Sequence, residues 1–315
     1  MTETVGYAAF PHSFRHLTTR GMYGRLAASL GIVLLAAVFR YGFAVALQLI
    51  FSSALVLIVD AGIASRLDRR NTTLDALLAS WLVLSLLPPA LPWYVVFFAV
   101  ATTLLVGKWT FGGVGSYWMH PALVGYLLVF TSFPMEITQG YRVPALWPSP
   151  SLDAVVTDFL NRVVFGRVGV AIDGGLVDLL FGNHPGPLGT SGVVLILAAG
   201  VFLLADDVVP ILFPAIYMAT VTALLIFFRT EEVLRVILSG QVLIVAFFLL
   251  PDPASRSKTH AGAIVAPAFC GVMTVLLMEA GLLVAAPAFG CALTNAITPL
   301  VDSIAGRAYL RGHDD

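Results

Sequence analysis

Between Val106 and Tyr126 the chain reads VGKWTFGGVGSYWMHPALVGY, which sets a lysine, a Gly-Gly-Val-Gly run and a His-Pro between long apolar stretches. Lipid offers no hydrogen bonds to a backbone, so irregular chain at membrane depth survives only where protein buries it or a water-filled cavity receives it. The feature restricts the chain to folds that enclose a broken helix. Breaks of this kind mark sites for a ligand, ion or cofactor.

The composition supports membrane depth. Of the residues 59% are hydrophobic and 11% charged, with mean hydropathy +0.93, against roughly 25% charged in soluble domains. This predicts an all-α integral membrane protein with the lipid bilayer as its solvent. A net charge of −1 and no basic run longer than Arg69-Arg70 argue against nucleic acid as a partner. Cys270 and Cys291 lie in apolar runs without CxxC spacing and read as structural thiols, with no metal site implied. Residues 1–25 show no apolar core of a cleavable signal.

Apolar runs measured against a span of about 20 residues predict ten helices, near 24–39, 41–64, 73–88, 92–108, 121–134, 191–205, 208–228, 232–250, 262–280 and 283–303. Five precede the polar stretch Met135–Thr190 and five follow it. Short or interrupted spans in both halves suggest two inverted five-helix repeats. Lys108 and its glycine-rich break close the fourth span, and Pro251-Asp252-Pro253 closes the eighth. The expected divisions are a cytoplasmic segment 1–23, a first repeat 24–134, an outside connecting segment 135–190, a second repeat 191–305 and a cytoplasmic tail 306–315. With the N-terminus inside, eleven Lys/Arg fall on the cytoplasmic side and six on the other, which favours cytoplasmic termini. In the connecting segment, Leu152–Val164 reads as an amphipathic helix on the membrane surface.

Several residues invite chemistry. Lys108, beside Trp109, suits an interface-anchoring lysine. It equally suits a cation that meets an anion cradled by the N–H groups of Gly112 and Gly113. His120, before Pro121, reads as a helix cap. Asp60 is an acid inside the second span, either functional or paired with Arg66 two turns on. Asp252 and Asp302 either cap broken helices or, with Asp60, line an ion path. The loop Gly186–Ser191 ends in Thr190 and Ser191, which can cap the sixth span or form an anion site at its N-terminus with Gly186 and Gly189. No nucleophile–base pair or paired carboxylates appear.

The chain resembles the Rnf-D membrane component of Rnf complexes and its homologue, the Nqr-B component of sodium-pumping NADH:quinone oxidoreductase (Nqr). The resemblance rests on LPPALPWYVV at 87–96, GKWTFGGVG at 107–115, HPALVGY at 120–126, SFP at 132–134, PGPLGTS at 185–191, LSGQVLIVAFFLLPDPASRS at 238–257 and TNAITPLVD at 294–302. It implies the two-repeat fold of urea and ammonium channels. It also implies a flavin-containing, ion-translocating complex of several membrane and redox subunits in a bacterial inner membrane. In that family an FMN is joined to a threonine in a D-A-V-[ST]-G-A-T-P-L pattern. Here Asp153-Ala154-Val155 is followed by Phe159 at that position, with Thr157 the only nearby hydroxyl. Covalent FMN at Thr157 is therefore disfavoured. The expected cofactor is FMN or riboflavin held without a bond near Lys108, Gly112, Gly113 and the 186–191 loop. Loss of the threonine leaves open a cofactor-free channel or transporter, or a structural subunit, on the same fold.

Overall fold

The computed structural model describes residues 18–66, 73–141, 180, 186–190, 192–228, 233–238 and 241–311. Among them every regular element is helical. The long elements are α1 (Thr19–Tyr41), α2 (Phe43–Arg66), α11 (Gly262–Glu279) and α12 (Ala286–Arg311). These four are long and apolar enough to cross a membrane. Shorter are α3 (Thr73–Leu86), α4 (Trp93–Thr102), α5 (Pro121–Ser132), α6 (Pro134–Gly140), α7 (Val193–Ala205), α8 (Leu212–Phe227), α9 (Val233–Ile237) and α10 (Gln241–Ile244). The chain is a multi-pass membrane protein.

The helices sit where the apolar runs lie, and most differences are at their ends. Gly42, at φ +83°, separates α1 from α2; α1 is longer than expected at both ends and α2 is shifted by two residues. The span drawn to 134 bends by 100° between α5 and α6. Pro134 supplies no N–H to continue α5 and serves as the first residue of α6 instead. The surface helix expected over 152–164 lies outside the described residues.

Helix α2 faces outward along Phe43, Ile50, Leu57 and Ile58, all more than 50% exposed. Apolar side chains on the outer face of an apolar helix suit lipid, which imposes no cost on them. Inside, close approach replaces hydrophobic drive as the packing device. Gly290 of α12 lies against Thr274 and the Cys270 carbonyl of α11, so that a methyl there would meet the Thr274 hydroxyl at 2.8 Å. The two thiols, Cys270 and Cys291, are free and buried at this crossing. Phe289 stacks edge-on against Tyr126 and Phe130 and ties α12 to α5.

The gap expected between the third and fourth spans is a break at 87–92. Helix α3 ends at Leu86 inside the molecule, where Leu86 and Leu87 are fully buried. Terminal carbonyls need partners, and residues distant in sequence supply them. Gln241 Nε2 donates to Leu86 O at 3.2 Å and Leu188 N to Leu87 O at 2.9 Å. Gln48 Nε2 donates to Pro89 O and Leu91 O, each at 3.3 Å.

Candidate functional site: two broken helices and a buried charge cluster

Helix α4 passes into a π-helical turn over Thr103–Trp109. Thr103 is fully buried there against Gly125 of α5, and Gly107 meets the Pro121 backbone. The wide turn lets the chain swing around α5 and carries Lys108 inward. Single π turns inside helices are frequent at functional sites.

Lys108 is completely buried. Its Nζ donates to Asp60 Oδ1 of α2 at 2.8 Å and to Asp75 Oδ1 of α3 at 3.2 Å. Trp109 Nε1 donates to the same Asp60 oxygen at 3.1 Å. The lysine is no interface anchor, and Asp60 meets it rather than Arg66, whose side chain is exposed. Two charges taken out of water cost several kcal/mol each, and only close, well-directed pairing repays that. The cluster thus clamps three helices around the first break.

The glycines behind Lys108 close the helix end. Gly112 N donates to Trp109 O and Gly113 N to Lys108 O, each at 3.1 Å, with φ of +101° and +97°. Glycine enters that left-handed region without strain and turns the amides back onto the last carbonyls. His120 caps α5 as expected, its Nδ1 accepting from Ala122 N at 3.2 Å.

The second break repeats the backbone device with other residues. Helix α10 passes into a π-helical turn over Val245–Leu249, closed by Leu250 N to Val245 O at 2.9 Å. Asp252 then caps its own turn, accepting from Ala254 N, Ser255 N and Ser255 Oγ at 3.1–3.2 Å. Asp302, on α12, accepts from Ser257 Oγ, from Lys258 N at 2.9 Å and from Thr259 Oγ1 at 2.7 Å. Thr259 Oγ1 in turn accepts from Gly262 N at 3.1 Å and starts α11. Both acids act as caps in this structure.

Helix α12 packs against both α5, which follows the first break, and the π turn of the second. Tyr23 Oη and Tyr117 Oη are 3.2 Å apart. Asp75, Tyr23 and Tyr117 were invisible as site residues in the sequence. Asp75 reads there as an acid in the first turn of a helix, favourable at any N-terminus, and only the fold brings it to Lys108.

The described part of the loop, 186–190, is built for packing. Gly189 lies against Ser85 and Ile244, where a methyl would meet the Ser85 carbonyl at 2.8 Å. Thr190 Oγ1 donates to Pro187 O at 2.8 Å within a 3₁₀ turn (Leu188–Thr190) and does not cap α7, whose N-cap is Gly192 without a side-chain bond. Gly186 precedes this turn, while Thr157 and Ser191 lie outside the described residues. Among the described residues no group of three His, Cys, Asp or Glu side chains comes together as a metal ligand set.

Residues 7–310 match the pattern of a single protein family. The chain belongs to the NQR2, RnfD, RnfE family. It is similar to the D component of the ion-translocating oxidoreductase complex of Halorhodospira halophila, at 29% identity over 75% of each chain. The proteins of that name from Aeromonas salmonicida and Vibrio vulnificus share 28% and 25% identity. Those alignments cover 95% and 94% of this chain, and 96% of each relative. Family membership thus extends over both breaks and the helices that enclose them.

Proposed function

We propose that this protein is a membrane subunit of an Rnf/Nqr-like electron-transport complex that couples electron transfer to Na⁺ or H⁺ translocation. The observation that carries this is the pair of broken helices with buried acids, Asp60, Asp75 and Asp252, in a chain of this family. Buried ionisable groups within a membrane domain mark ion pathways and proton relays. Asp60, Asp252 and Asp302 are assigned to that path, with Asp75 added. The finer architecture proposed is ten spans in two inverted repeats, divided at 24–134, 135–190 and 191–305. Its support is the recurrence of a π turn, a capped break and a new helix in each half. The complex is placed in a bacterial inner membrane with both termini cytoplasmic, on the Lys/Arg distribution.

Flavin fits the described residues poorly. The Lys108 ammonium is taken by two carboxylates, the Gly112 and Gly113 amides are turned onto helix carbonyls, and Gly189 is packed shut. What supports flavin in this subunit is the family resemblance, and the segments holding Thr157 and Ser191 are its remaining places. The engaged positions favour a second assignment, an ion-conducting or structural subunit without its own flavin.

Purification of the assembled complex through a tag on this chain tests the proposal. Co-purifying redox subunits, and charge movement in vesicles driven by an electron donor, are expected. A chain that purifies alone and moves ions without a donor would be a channel. In-gel fluorescence of the denatured chain reports covalent flavin, and absorbance released on denaturation reports bound flavin.

A further inference from the structure

Asn295 lies near the middle of the apolar stretch Ala286–Arg307 of α12 and is only 2% exposed. Helix α12 packs against α11, α5, α10 and the second π turn. Among the described residues, the Asn295 Nδ2 has no hydrogen-bond partner. An amide taken from water without a compensating bond is costly, and a leucine would fill the same space. The main chain at this residue is unusual too. Pro299, inside α12 four residues on, has no N–H, so the helical bond to the Asn295 carbonyl is missing. Thr298 Oγ1 donates to Thr294 O at 2.8 Å. A threonine hydroxyl in a helix reaches the carbonyls three and four residues back, which sets Thr298 Oγ1 beside the Asn295 carbonyl. Its one proton is spent and its lone pairs remain. This turn of α12 therefore carries three acceptor oxygens, Asn295 O, Asn295 Oδ1 and Thr298 Oγ1, against one unmet donor.

We propose that the Asn295–Pro299 turn is a binding site for a partly hydrated Na⁺ ion. Its place on a transport path rests on the ion-translocating function proposed above. The carbonyl freed by Pro299 faces outward as at the C-terminal end of a half-helix, the arrangement that coordinates Na⁺ inside membrane transporters. The ion takes the Asn295 carbonyl, the amide oxygen and the Thr298 hydroxyl oxygen, and keeps water on its other sides. One of those waters accepts from Nδ2, which accounts for an N–H that no protein group meets. A single water in place of the ion has only two protons for three oxygens. All three oxygens are uncharged, which suits a monovalent ion and not Mg²⁺ or Ca²⁺, whose sites are built on carboxylates. Asp302 stands seven residues on, about 10 Å along the helix. Its carboxylate is engaged by Ser257, Lys258 and Thr259, so it is not counted as a ligand.

The test measures equilibrium binding of radioactive sodium to the purified full-length chain in detergent, with choline holding the ionic strength. Asn295→Leu keeps the volume and removes both amide groups. Pro299→Ala returns an N–H to the Asn295 carbonyl. Each is expected to weaken sodium binding by roughly tenfold or more, the low end for losing a supporting group of a metal site. In choline both variants should melt at or above the native temperature, because each removes an unmet polar group. Sodium should raise the melting temperature of the native chain and of neither variant. Native sodium affinity in both variants would overturn the site. So would a native chain that does not distinguish sodium from choline, the result expected if water alone fills the turn. Donor-driven sodium movement by the assembled complex in vesicles reports the function separately. A complex that moves no ions while its chain binds sodium at Asn295 would remove that function and keep the site. Native sodium movement in both variants would keep the function and overturn the site's place on its path.

Discussion

The two breaks share a backbone plan and differ in what holds them. In each, a helix widens into a π turn, the chain reverses, and a new helix starts at Pro121 or Gly262. The first break relies on residues far apart in sequence, since Lys108 reaches Asp60 and Asp75 on two other helices. Its reversal uses glycines at positive φ. The second relies on short-range caps around Asp252 and one tether from Asp302, with prolines in place of glycines. One is closed by tertiary electrostatics and the other mainly by local turn chemistry. The first should therefore fail as a unit with its enclosing helices, and the second more locally.

The largest expected effect comes from Lys108→Met. It leaves two buried carboxylates without their ammonium and should cost about 3–5 kcal/mol, read as lost thermal stability of the detergent-solubilised protein. Asp302→Ala removes a charged acceptor of several hydrogen bonds and should cost about 1.5–3 kcal/mol, with enhanced proteolysis at 254–260 ahead of global unfolding. Gly113→Ala forces a side chain into the left-handed region and should cost about 1–2 kcal/mol. If Gly113→Ala were neutral, the reversal would not depend on that backbone conformation. Asp252→Ala removes a local cap and should cost about 1 kcal/mol, the smallest effect of the four. A ranking with Asp252 above Lys108 would invert the contrast between the breaks.

Most helices were legible because each is an apolar run of the right length. The first break was legible as a location, since a lysine and glycines interrupt such a run. Its chemistry was not. Lys108 announced a charge, yet its partners depend on how α2, α3 and the π turn pack, and nothing local distinguishes Asp75 from an ordinary first-turn acid. The break at 87–92 was legible as a gap between spans, while its bonding was not. Two prolines between apolar residues read as a loop between spans, while the groups that satisfy its carbonyls, Gln48, Leu188 and Gln241, lie up to 155 positions away. Asp252 was legible as a cap because its partners are the next loop amides, whereas those of Asp302 lie 43–45 positions away. Tyr23 and Tyr117 carry no sequence signal, as buried aromatics are common in any membrane helix bundle.

A buried ion cluster, rather than apolar packing, closes the first break. Its most direct measurement is the thermal unfolding of Lys108→Met compared with the triple variant Lys108→Met, Asp60→Asn, Asp75→Asn. The single variant should be destabilised by about 3–5 kcal/mol, most of it recovered in the triple, because the cost lies in the orphaned carboxylates. A single variant within about 0.5 kcal/mol of the native protein, the range of an ordinary surface change, would contradict it.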